Sequence, residues 1–209
     1  MRKPITAGEL MAELQADPKW VAEKEKRDQA LREHKAELTR AELPLTRDLH
    51  LAGVFVSSAW DLVNTRESYP AAIPVLLEHL SRPYPERIRE GIGRALAVPY
   101  AKAGWLTVLK AFQAETDTTT TGVKWALALA LGAMGADDVL NDVIPLLLDN
   151  ALGRNRVPLI PVLGRSREPR AREILEQLRD VETIGREVRK ALERLDNKKP
   201  VTLRSLATK

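Results

Sequence analysis

IREGIGRAL, residues 88–96, and VKWALALAL, residues 123–131, overlay without a gap, bringing Ile92 over Leu127, Ala95 over Ala130 and Leu96 over Leu131. Apolar residues at the first, fifth, eighth and ninth places of each stretch lie on one face of a helix. The same frame places Val162-Leu163 seven and eight residues after Asn155, and Ala191-Leu192 seven and eight after Ile184. First helices are therefore expected to start near residues 55, 88, 123, 155 and 184, at spacings of 33, 35, 32 and 29. Between them, second helices show apolar triplets at zero, four and seven: Ile73/Leu77/Leu80, Trp105/Leu109/Phe112, Leu140/Ile144/Leu147 and Ala171/Leu175/Leu178. Two patterns sharing one period predict an all-α helical solenoid. The register of the third pair stays open by one turn, because Ile73-Pro74-x-Leu-Leu recurs as Ile144-Pro145-x-Leu-Leu at a spacing of 71.

The residues before this block read differently. Thr6 and Glu9 have capping-box spacing and predict a helix over about 7–16. Asp17-Pro18 caps a second, charged helix expected to reach about Glu42, with a thin leucine seam at Leu31, Leu38 and Leu45. This divides the chain into an N-terminal helical arm, 1–45, a repeat region, 46–196, and a disordered basic tail, 197–209.

The apolar-basic pairs Ile88-Arg89 and Val123-Lys124, the Ala-Leu pairs Ala95-Leu96, Ala130-Leu131 and Ala191-Leu192 closing first helices and the Ile-Pro-x-Leu-Leu stretches resemble the HEAT-repeat family over about residues 55–196. The resemblance implies a right-handed α-α solenoid of HEAT-like helical hairpins. The departures are Pro158 and Pro161, which shorten or kink the fourth first helix, and a last unit without its second helix. That charged half-unit, Ile184 to Leu195, would cap the open stack.

Composition narrows the chemistry. The chain has 209 residues and no cysteine, which excludes disulfide scaffolds, thiolate nucleophiles and thiolate metal sites; three histidines, His34, His50 and His79, argue against a His-rich metal centre. His79 is read as a solvated residue on the outer face of its helix. The stretch from Trp125 to Ala136 is the longest charge-free run near the middle, too short to span a membrane. The N-terminus has no apolar secretory segment, so a cytoplasmic location is expected. Phosphate-cradling, dinucleotide, nucleophile-elbow and zincin motifs do not occur. Asp137, Asp138 and Asp142 gather where a helix begins and are read through the helix dipole rather than a metal. No catalytic residue, metal or cofactor is assigned.

Charge is uneven: residues 151–209 carry fifteen basic and eight acidic side chains, whereas residues 101–150 carry three and six. Arg154, Arg156, Arg165, Arg167, Arg170 and Arg172 fall within nineteen residues and are expected to project along one edge, where forked guanidiniums can grip carboxylates or phosphates. Trp125 aligns with Glu90 and Arg186 and is read either as docking the adjacent helix or as an exposed anchor for a partner. Trp105 is read as core, and Trp20 and Trp60 as a seal between arm and first repeat. The leading expectation is a non-catalytic protein-binding scaffold or adaptor, of which small bacterial immunity or antitoxin-like proteins are examples by resemblance, with an acidic protein partner. The rivals are a HEAT-like alkylpurine DNA glycosylase, with Trp125, Trp105 and Asp142 in the site, and a plain nucleic-acid-binding protein.

Overall fold

The computed structural model describes residues 6–116 and 121–197, and among these it contains eleven α-helices, three short 3-10 segments and no strand. The chain separates into two compact bodies, residues 1–43 and 44–209. The basic tail lies outside the described residues from Lys198 onward, while Asn197 still belongs to the last helix.

In the N-terminal body, helix α1, Ala7–Ala16, opens as the sequence predicts: Glu9 N–H donates to Thr6 Oγ1 (3.3 Å) and Thr6 N–H donates to Glu9 Oε2 (2.9 Å). It buries no residue. Helix α2, Pro18–Leu51, follows, its Lys19 N–H held by Asp17 Oδ1 at 2.9 Å. Its first half is solvated, with Leu31 exposed and Trp20 half-buried under Lys24.

The expected helix end near Glu42 is not found, because α2 continues through Pro44 to Leu51. Proline removes one ladder bond, but the turns beyond it bury Leu45 and Leu49 completely, which offsets that loss. The stop is supplied by Gly53, at φ +80°, with Val54 N–H reaching back to Leu49 O (2.9 Å). Only glycine takes this left-handed position without strain.

The second body continues with α3, Ala59–Asn64, capped by Ser58 and Asp61, then α4, Ala72–His79, α5, Glu86–Ala95, α6, Trp105–Ala114, and α7, Val123–Met134. Helix α8, Leu140–Leu148, leads into a 3-10 segment, Asn150–Leu159, then α9, Ile160–Arg165, α10, Pro169–Leu178, and α11, Gly185–Asn197. Contacts run α3 to α5, α5 to α7, α7 to both the 3-10 segment and α9, and α9 to α11; α6 packs on α7, and α10 on α9 and α11.

Small residues let these helices approach. A Cβ on Gly93 would sit 3.0 Å from that of Ala126, one on Gly164 would sit 3.2 Å from that of Ala191, and one on Gly132 would lie 2.0 Å from Pro158 O. The third distance leaves no room for any side chain. The repeat positions of α5 and α7, Ile88, Ile92, Ala95 and Leu96 and then Val123, Leu127, Ala130 and Leu131, are all buried.

Burial also settles the register. Ile73, Leu76 and Leu80 correspond to Leu140, Val143 and Leu147, all buried, a spacing of 67 that matches two periods. The alternative spacing of 71 would pair Leu80 with exposed Ala151. The middle members of two triplets, Leu77 and Ile144, are only half-buried, because the inward positions are Leu76 and Val143. Trp105 is core, as expected. Trp60 lies on α5 beside Gly91, its Nε1 donating to Arg87 O (3.1 Å) beneath the Arg87 guanidinium, 3.6 Å from the ring centroid.

Candidate functional site

The arginine run divides into internal locks and a smaller exposed remainder. Gly153, at φ +51°, kinks the segment between α8 and α9, and a kinked 3-10 run leaves carbonyls without ladder donors. Arg156 satisfies them. Its Nε donates to Gly153 O (3.0 Å), Nη1 to Leu147 O (3.1 Å) and Asn150 Oδ1 (2.9 Å), and Nη2 to Thr183 Oγ1 (2.9 Å), with the residue 1% exposed. Burial pushes its guanidinium below the usual range, partly opposed by Asp149. The expectation that Arg156 projects toward a partner is therefore corrected, since its donors are spent inside the fold.

Arg165 is corrected in part. Its Nη2 donates to Gly132 O (2.6 Å) and Gly135 O (3.0 Å), closing the carbonyls at the end of α7, and burial lowers its pKa as well. Arg154 donates to Thr183 O (3.2 Å) while remaining exposed, and Arg172 pairs with Glu176 and Asp196, each at 2.8 Å. Arg170 donates to Asn141 Oδ1 (2.7 Å) from an exposed position. Arg167 is exposed and makes no hydrogen bond or ion pair with the described residues.

A groove of about 320 Å³ opens between α9 and α11. Val157, Ile160 and Pro161 supply carbon surface, Lys190 and Arg194 supply free ammonium and guanidinium groups, Arg165 forms part of the wall, and Glu187 is the single carboxylate. Lys190 and Arg194 were not singled out in the sequence. Their signal was the seven- and eight-residue spacing of Ala191-Leu192 after Ile184, which places their α-carbons on the helix that lines the groove.

Trp125 is half-buried rather than openly exposed. Its aligned position in α5, Glu90, is itself 9% exposed and bound to Arg94 Nε at 2.8 Å, whereas the aligned Arg186 in α11 is exposed, so this place in the frame is openly exposed only in the last unit. Trp105 Nε1 donates to Asp142 Oδ2 (2.8 Å), which occupies the carboxylate cast for base excision. Asp138 accepts from Lys102 Nζ (2.8 Å), a bond that holds its carboxyl below the usual range, and among the described residues no acidic or histidine group is arranged to hold a metal.

His79 overturns its sequence reading. It is completely buried, with Nε2 2.9 Å from Asp48 Oδ2 and Nδ1 2.6 Å from Tyr84 Oη. The available signal was its place three residues after Leu76 on the buried stripe Ile73/Leu76/Leu80. No helix among the described residues is long and apolar enough to cross a membrane. The chain matches no protein-family model, no curated protein and no solved structure.

Proposed function

We propose that this chain is a non-catalytic protein-binding scaffold, a right-handed stack of HEAT-like helical hairpins over about 46–196 behind an N-terminal helical arm, 1–45. Support comes from the succession in which α3, α5, α7, α9 and α11 each meet the next, with glycine at close approaches: Gly91 against Trp60, Gly93 against Ala126, Gly135 against Val162 and Gly164 against Ala191. Such a stack has open surfaces along its whole length and no need of a catalytic cleft. Its partner is a protein with an acidic surface, the relation an immunity or antitoxin-like protein has to its target, in the cytoplasm.

The observation that carries this reading is the exposed, uncommitted set Arg167, Lys190 and Arg194, with Arg170 beside them in the same basic quarter. Cations that the fold does not use for its own carbonyls are available to carboxylates of another chain, and they steer encounter as well as register. Capture of a partner by immobilised wild type and by the triple variant Arg167→Glu, Arg170→Glu, Arg194→Glu tests it. Loss of capture with an unchanged circular-dichroism spectrum is expected; retention by the variant, or binding of duplex DNA with release of a base, overturns it.

A further inference from the structure

The repeat frame places Trp125 of α7, Val157 just before α9 and Arg186 of α11 at one position, and Leu129, Pro161 and Lys190 four residues later. Ala133, Arg165 and Arg194 follow after four more. In α7 these are the residues that are not buried, so the edge of that helix that solvent reaches carries no charge. In α11 the same three places are all cationic and exposed, and none of their side chains is hydrogen-bonded or ion-paired with the described residues. The groove of about 320 Å³ along α9 and α11 therefore has an apolar wall, from Val157, Ile160 and Pro161, and a basic wall, from Lys190 and Arg194. Its single carboxylate, Glu187, faces Arg154 at 3.9 Å and leaves those two cations unopposed.

These walls select both the charge and the conformation of an occupant. An extended segment needs a sheet edge to pair its N–H and C=O groups, and both walls here are helical, so a docked strand would lose water without gaining partners. A helix satisfies its own backbone. Its side chains also turn by about 100° per residue, so an apolar stripe can face Val157 and Pro161 while a neighbouring stripe of carboxylates faces Lys190 and Arg194. A strand sends successive side chains to opposite faces and cannot meet two adjoining walls in this way. Lys190 and Arg194 are separated by about 6 Å along the axis of α11, the rise between carboxylates four residues apart on a helix lying alongside. Residues 198–209 carry four basic side chains and no acidic one, so that stretch has the wrong sign for the groove.

We propose that the groove along α9 and α11 docks an acidic amphipathic helix of the partner protein. The apolar stripe of that helix lies on Val157 and Pro161 and extends toward Trp125 and Leu129, and its carboxylates meet Lys190 and Arg194. This rests on the reading of an acidic protein partner and adds the form of the segment that the partner presents. Apolar anchors at helical spacing supply the burial, and the cations on one side only fix which way round the helix sits.

The probe is a fluorescein-labelled peptide of tandem Leu-Glu-Glu-Leu-Leu-Glu-Glu, whose leucines form one helical stripe. It is compared by anisotropy with tandem Glu-Leu-Glu-Leu-Glu-Leu-Glu, which has the same composition and charge in alternating order. The wild type should hold the first peptide at least about tenfold more tightly than the second. Lys190→Glu combined with Arg194→Glu should weaken that binding at least about tenfold with an unchanged circular-dichroism spectrum, whereas Lys110→Glu, on α6, should not change it. Leu129→Gln should weaken it with the charges untouched, and it decides the matter if the double variant does not fold. Equal affinity for the two peptides, lost in the double variant, overturns the helical occupant and leaves the acidic-partner surface standing. Affinity for the first peptide unchanged by the double reversal or by Leu129→Gln, or no binding of it by the wild type, overturns the docking proposal. Partner capture by Arg167→Glu, Arg170→Glu, Arg194→Glu then decides the broader reading on its own.

Discussion

Arg156 and Arg167 are eleven positions apart in one basic run, yet they do opposite work. Arg156 closes four acceptors inside the second body, and Arg167 faces solvent. Arg156→Met keeps much of the buried volume but leaves the Leu147 and Gly153 carbonyls without their donor. Its cost should be on the order of 3 kcal/mol, because each orphaned buried acceptor costs about 1–3 kcal/mol. Arg167→Ala should stay within about 0.5 kcal/mol, as surface changes away from caps and cores do. Urea midpoints of the two variants check this, and equal losses would contradict it. The composition of the run was legible in the sequence, but its division was not. Which guanidiniums are consumed depends on the carbonyls freed by the kink at Gly153, and a positive φ there leaves no periodic trace.

The same contrast holds within single helices. Leu147 is fully buried and Leu148 is 39% exposed at the end of α8, so Leu147→Ala should cost about 2–5 kcal/mol through lost contacts and a cavity. Leu148→Ala should cost under about 1 kcal/mol, and a reversed order in denaturant melts would return the register to the spacing of 71. The loop before α4 is tied to the end of α5 by Tyr69 Oη donating to Ala95 O (2.9 Å), and burial pushes this phenol up to about 12, with Tyr100 adding to the effect. A folded-state pKa above the ordinary value near 10 means that the stability is present below about pH 10 and is lost as pH rises toward 12. Tyr69→Phe should therefore narrow its stability deficit relative to wild type between pH 10 and 12, as read by urea melts; a constant deficit would contradict the assignment. The first helices that begin at Glu86, Val123 and Gly185 were readable because leucine, isoleucine and alanine recur with helical spacing, whereas the starts expected near 55 and 155 fall ahead of α3 and inside the 3-10 segment before α9. The run of α2 through Pro44 was not, since a local breaker rule cannot see Leu45 and Leu49 being buried by residues distant in sequence.

At the scale of the molecule, the period near 33 residues marks out elements that each pack on the next, and its glycines fall at the closest approaches. His79 escaped that reading because its burial depends on Asp48 and Tyr84, partners that no period predicts. Arg156 and Arg165 satisfy carbonyls of the fold itself, whereas Arg167, Lys190 and Arg194 are exposed and make no hydrogen bond or ion pair with the described residues, which leaves them for the proposed partner. The most direct test is titration calorimetry of the captured acidic partner against wild type and against Arg167→Glu, Arg170→Glu, Arg194→Glu. Reversal should weaken affinity at least about tenfold, or roughly 1.4 kcal/mol, with helical content unchanged. Equal affinity of the two proteins would contradict the docking surface.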